Sequence, residues 1–169
     1  MPANKILMII AYKLFRDEEY SRPKEIFEKA GIEVETASST AGTATGKLGL
    51  KARVDLTLKD VKVGDYQAVV FVGGPGSFDY YDNPTCHAIA RETLQAGKVL
   101  AAICAAPGIL AKAGLLKGKK ATMFEDTGVL GENGAVYTGQ GVEIDGKIIT
   151  ATGPETAKAF AETIIQNLS

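Results

Sequence analysis

Tryptophan is absent from this chain of 169 residues, and histidine occurs once, at His87. The scarcity of histidine excludes most. A hydrolytic cysteine–histidine or serine–histidine pair needs an imidazole beside its nucleophile. His87 falls in an expected helix, one residue off its apolar face, and reads as a surface or rim residue. Cysteine is nearly as scarce, with only Cys86 and Cys104. Two thiols and no export signal describe a reduced, cytoplasmic protein rather than a disulfide scaffold. Neither sign of charge dominates, since 19 Lys and Arg face 20 Asp and Glu for a net charge of −1. A nucleic-acid protein usually carries a basic patch, so no nucleic-acid partner is expected. Lys117, Lys119 and Lys120 cluster, but they read as a solvated turn. Long apolar runs are missing too. Residues 6–11 are too short for a signal peptide and 99–111 too short to cross a bilayer, so no membrane partner is expected.

What is present is an even alternation of short apolar runs and helical stretches, with no repeat, low-complexity tract or linker. At 46% apolar residues the chain can bury a two-sided core, and one domain over 1–169 is expected. The pattern signals a parallel sheet covered on both faces. Residues 5–11 read as a buried strand and 18–30 as a helix that Gly31 ends with a left-handed cap. Ile32, Val34 and Thr36 alternate as a second strand. Within 47–61, Leu48, Leu50, Val54, Leu56 and Leu58 keep even spacing, as short strands of an edge ribbon would. Residues 67–72 form another buried strand. Asn83 and Pro84 open a helix as N-cap and first residue, with Cys86, Ile89, Ala90, Thr93 and Leu94 on one face. Cys86 therefore reads as core. Residues 98–103 make the next strand and 105–113 a small-residue helix. Asp145-Gly146 predicts a type I′ hairpin within 142–150. Residues 154–168 form a closing helix with one apolar stripe.

Ligands of open α/β sheets bind beyond the carboxyl ends of the strands. Three features reach that rim: the segment 12–19, the turn 73–77 and Cys104. Of these, Cys104 is the most informative. A buried strand runs straight into it and a helix follows with no loop between, as in a nucleophile elbow. A thiol there faces unpaired N–H groups and the positive end of a helix, both of which favour thiolate. Glycine at 73 and 74 lets backbone approach a substrate closely. The N–H groups of Gly74 and Ala105 are candidates to hold an oxyanion. Gly73-Gly74-Pro75-Gly76 lacks the spacing of a dinucleotide fingerprint. Tyr12, Phe78 and Tyr80 all fall near the expected rim.

The stretch AAICAAPGILAKAGLLKGKKAT resembles the signature of the ThiJ/PfpI superfamily. The likeness extends over nearly the whole chain, through SRPKEIFEKAGIEVETAS, the VGGPG turn, the Asp145-Gly146 hairpin and TGPETAKAF. It implies a flavodoxin-like three-layer α/β/α sandwich with a mostly parallel sheet, assembled as a homodimer or a higher oligomer of dimers. It implies that Cys104 is the nucleophile and that a glutamate from the loop after the first strand contacts its sulfur. The position four before Pro23 makes Glu19 that residue, with Glu18 in reserve. Two departures bear on activity. Ala105 stands where protease-type members carry histidine, and Met123 or Phe124 where deglycase-type members often do. The resemblance thus implies a glyoxalase- or deglycase-like enzyme acting on a small carbonyl substrate through Cys104 and Glu19. The alternatives are a redox-responsive protective protein and a peptidase or amidase. No metal or organic cofactor is expected, because no His/Cys cluster offers to bind one.

Overall fold

The apolar run at the start of the chain becomes a central strand because both of its faces are covered. The computed structural model describes residues 4–125 and 128–168. In chain order its elements are β1 (Lys5–Ile9), β2 (Lys13–Phe15), α1 (Asp17–Lys29), β3 (Glu33–Ser38), β4 (Gly42–Gly46), β5 (Lys51–Val54) and β6 (Leu56–Thr57). There follow β7 (Ala68–Phe71), α2 (Pro84–Gln95), β8 (Val99–Ile103), α3 (Pro107–Lys112), β9 (Lys120–Ala121), α4 (Val129–Glu132) and β10 (Val136–Tyr137). The hairpin β11 (Val142–Asp145) and β12 (Ile148–Ala151) precedes the closing helix α5 (Ala157–Gln166).

The main sheet runs β11-β12-β8-β7-β1-β3-β6, parallel except where β11 meets β12. Successive side chains of a strand point to opposite faces. Ile6 and Met8 accordingly pack with Phe27 of α1 and Phe160 and Ile164 of α5. Leu7 and Ile9 pack with Ile89 of α2 and Ile109 and Leu110 of α3. This is the sheet covered on both faces that the alternating pattern signals, and the flavodoxin-like sandwich that the resemblance implies. Among the described residues no helix is long and apolar enough to cross a membrane.

Several local expectations are met. Gly31 ends α1 at φ +81°, and the Asn83 side chain accepts the Cys86 N–H at 3.0 Å. Others shift. The hairpin turn is Gly146-Lys147, one residue later than Asp145-Gly146, because Asp145 pairs with Ile148. Of those two turn residues only Gly146 has positive φ, which fits a type II′ rather than a type I′ turn. The ribbon expected in 47–61 divides. β5 pairs antiparallel with β4 in a separate small sheet completed by β2, while β6 edges the main one. Leu48 and Leu50 are exposed. The expected last helix begins as a 3-10 turn, Pro154–Thr156.

Candidate active site

Cys104 follows the last residue of β8, and the backbone there turns sharply before α3. The helix expected from residue 105 starts at Pro107, since 104–106 form the turn itself. Cys104 has φ +65°, a conformation that costs a non-glycine residue on the order of 1 kcal/mol or more. Its neighbours hold it there. Its N–H donates to Ala151 O at 2.8 Å, its carbonyl accepts from Phe124 N at 2.9 Å, and Ala106 N donates to Ile103 O at 3.1 Å.

Two peptide units aim N–H groups at the sulfur by the same device. In a trans peptide the C=O and the next N–H point in opposite directions. The Gly73 carbonyl accepts from Arg16 N at 2.9 Å, and the Cys104 carbonyl from Phe124 N at 2.9 Å. Each carbonyl is thus tied from behind, leaving the N–H of Gly74 and of Ala105 to face Cys104, where both bear on the thiol. No side chain fits this close approach. A Cβ on Gly73 would sit 2.6 Å from Cys104 Cβ and also strike Ile103 O and Glu19 Oε1. Gly74 has φ +105°, and a Cβ there would meet Leu14 O at 2.7 Å. Gly73→Ala is therefore expected to destabilise the fold by about 1–3 kcal/mol and displace the pair beneath it. A urea midpoint unchanged from wild type would contradict this.

Glu19 lies in the first turn of α1, where carboxylates suit the helix end, yet it is fully buried. Among the described residues neither carboxyl oxygen has a partner in full hydrogen-bonding geometry. The polar groups bearing on it are the Cys104 thiol and the Gly73 N–H. Glu18, the reserve candidate, turns outward and forms a bidentate pair with Arg16, at 3.1 Å to Nε and 2.9 Å to Nη2. Asp17 accepts the N–H groups of Leu48 and Leu50 at 2.9 and 2.8 Å. Three successive acids thus do three different things.

Burial is the first cause of both shifts at the pair. It pushes Glu19 up to about 8, against smaller opposing effects of the Cys104 hydrogen bond and the Arg16 charge. Burial, then the Glu19 charge and hydrogen bond, push Cys104 up to about 12, while the Gly74 and Ala105 amides pull it down. The thiolate preference expected from a helix N-terminus is not met. Only six residues of helix follow, and they start beyond the turn, whereas the sulfur is largely removed from water beside an acid. The two groups titrate as a pair. Losing the first proton is moderately difficult; losing the second is severely so.

A pocket of about 300 Å³ opens onto Cys104, its walls including Arg16, Lys47, Phe78, Met123 and Phe124. A larger groove of about 440 Å³ lies between α1 and β5, lined by Tyr20, Lys24, Lys51 and Arg53 among others. It contains no cysteine and stays outside the chemistry below. Of the rim aromatics, Phe78 lines the pocket and is 54% exposed. Tyr80 is buried, donating to Ile10 O at 2.9 Å, and Tyr12 packs against the core. His87 Nε2 lies 2.7 Å from Tyr81 O, and Cys86 is fully buried. Sequence reasoning did not single out Lys47 as a pocket wall; it reached Arg16 only within the rim segment 12–19, and Phe124 only as an alternative to Met123 for the position of a family histidine. Arg16 carried one faint signal, its place just before the acidic run that opens α1.

The DJ-1/PfpI family model matches residues 4–167. An uncharacterised protein of Methanocaldococcus jannaschii is 43% identical over 166 residues, covering 96% of this chain and 81% of that one. A protein of Pyrococcus horikoshii named a deglycase is 32% identical over 167 residues, 97% of this chain and 99% of the relative. A Caenorhabditis elegans protein named a glutathione-independent glyoxalase is 27% identical over 144 residues, 85% and 77% of the two chains. The crystal structure of a ThiJ/PfpI domain protein from Brachyspira murdochii superposes with a TM-score of 0.96 at 34% identity, covering 98% of this chain and 96% of that one.

Proposed function

This chain belongs to the DJ-1/PfpI family, and on that premise we propose that it converts small vicinal dicarbonyls to hydroxy acids through Cys104 and Glu19, without a cofactor. One observation carries the reading. A single strained thiol is met by a buried carboxyl and by two N–H groups whose peptides are tied from behind. That is a set for carbonyl addition: a nucleophile, a proton carrier and an oxyanion site. The deglycase and glyoxalase names among the relatives support the same class of substrate.

The steps balance without an external oxidant. The Glu19 carboxylate takes the thiol proton as sulfur bonds to the aldehyde carbon, and the new oxyanion lies against Gly74 and Ala105 N–H. Glu19 returns that proton to the oxygen, giving a hemithioacetal. It next removes the C–H proton from the same carbon and delivers it to the neighbouring carbonyl carbon through an enediolate, while the hydroxyl proton of the hemithioacetal passes to the neighbouring oxygen. One carbon is oxidised to a thioester as the other is reduced to an alcohol. Water cleaves the thioester, freeing the hydroxy acid and restoring the thiol. A peptidase reading fits less well, because His87 is engaged at Tyr81 O and Ala105 follows the nucleophile.

The test is to supply methylglyoxal to the protein with no added thiol or metal and to assay lactate. Sustained lactate formation is expected. If no lactate appears and peroxide instead yields a lasting Cys104 sulfinate, the redox-responsive reading replaces this one.

A further inference from the structure

The pocket beside Cys104 carries two cations that the reaction above does not use as charges, Arg16 and Lys47. Both are set by their surroundings rather than by chance exposure. The Arg16 backbone is tied to the Gly73 carbonyl at 2.9 Å. Its guanidinium is held through Nε and Nη2 by Glu18. Among the described residues its Nη1, with two N–H donors, has no partner. Lys47 belongs to a bend fixed twice. Its own N–H donates to Phe15 O at 2.8 Å, and Asp17 holds the next turns of chain through Leu48 and Leu50. The lysine amine makes no ion pair among the described residues. Much of the remaining wall is apolar, including Pro75, Phe78, Met123 and Phe124.

We propose that Arg16, assisted by Lys47, makes this site select dicarbonyls that carry a carboxylate, which the open guanidinium edge binds while the aldehyde carbon meets Cys104. The inference rests on the dicarbonyl reading and narrows its substrate. Guanidinium matches carboxylate in shape and donor spacing, which a lone ammonium does not. The Arg16 charge is also felt at Glu19 and at Cys104, so a group bound there lies within small-molecule reach of the reacting atoms. Negative charge at the mouth does not cancel this. Glu18 orients the guanidinium and occupies one edge of it. Glu125, also in the wall, follows the segment bonded to the Cys104 carbonyl, whereas Arg16 enters from the Gly73 side.

The probe is 4,5-dioxopentanoate, a methylglyoxal analogue with a carboxylate, whose product is 2-hydroxyglutarate. In the wild type kcat/KM is expected to favour it over methylglyoxal by about ten-fold or more. In Arg16→Gln the ratio of the two should fall to near one, and in Lys47→Gln part of the way. A second readout does not need turnover: 2-hydroxyglutarate should protect Cys104 from iodoacetamide, and Arg16→Gln should require about ten-fold more of it. Methylglyoxal turnover without preference or protection overturns the inference and leaves the reaction standing. Protection lost in Arg16→Gln, with neither dicarbonyl consumed, upholds the anion site and overturns the reaction. Neither preference nor protection, with or without turnover, overturns the inference.

Discussion

Cys104→Ser is expected to reduce methylglyoxal turnover on the order of 10³-fold or more. The loss follows from what surrounds the sulfur. A hydroxyl is a far weaker acid than a thiol, and a serine nucleophile works only beside a base strong enough to take its proton. Here the adjacent base is Glu19, whose conjugate acid is pushed up to about 8. That suffices to share a proton with a thiol but not with an alcohol. The single histidine is engaged at Tyr81 O and cannot stand in. The two N–H groups would still polarise the substrate carbonyl, so residual binding is expected without reaction. Labelling gives an independent check. Cys86 is fully buried and Cys104 is not, so one equivalent of iodoacetamide should enter the native wild type and none the variant. A variant keeping more than about a tenth of the activity would remove Cys104 from the chemistry.

The architecture was readable because a buried parallel strand leaves a strong mark. Runs such as 68–72 are apolar at every position, since both faces are covered, and two independent packing groups use alternate residues of the same run. The Asn83-Pro84 start of α2 was readable because capping is local chemistry. The small sheet was not. β2 has three residues, and β4 is Gly-Thr-Ala-Thr-Gly, so neither carries enough apolar signal to stand apart from loop. Its role is tertiary: it holds the bend that sets Lys47.

At the site, residue identity was more legible than electrostatics. The strand-to-turn junction marks Cys104, and the family resemblance, matched at the position four before Pro23, favours Glu19 over Glu18, whose side chains the fold sends in opposite directions. The sequence shows a thiol at a helix start but not how little water reaches it. Burial is a property of the assembled layers, and it reverses the expected direction of the thiol shift. The anchoring of the Gly73 and Cys104 carbonyls was equally hidden, since the donors Arg16 and Phe124 lie far away in sequence.

Glu19→Gln should make the protein more stable and less active, with a pH signature that ties both effects to one proton. In the folded chain Glu19 titrates at about 8, raised from 4.5. Between those values the native state holds a proton that the unfolded chain has released. Stability from this group is complete below about pH 4.5 and is lost as pH rises toward 8, by up to about 1.4 kcal/mol per unit. Glutamine has no such proton. The stability of Glu19→Gln relative to wild type should therefore climb between pH 5 and 8 and level off above, as followed by urea unfolding at each pH. Over the same range wild-type turnover should rise as the Glu19 carboxylate forms, while the variant stays lower by about 10²–10⁴-fold because no proton carrier remains. The Cys104 alkylation midpoint should fall in the variant, since the negative charge that opposes thiolate is gone. A stability gap independent of pH would mean that Glu19 ionises as an ordinary carboxylate, and the buried proton-sharing pair would have to be abandoned. A gap that climbs with pH while turnover is untouched would leave the pair intact but remove it from catalysis. The proposed reaction requires the gap and the turnover to change together, because the energy spent keeping a carboxyl out of water has a use only if that carboxyl exchanges its proton with the thiol beside it.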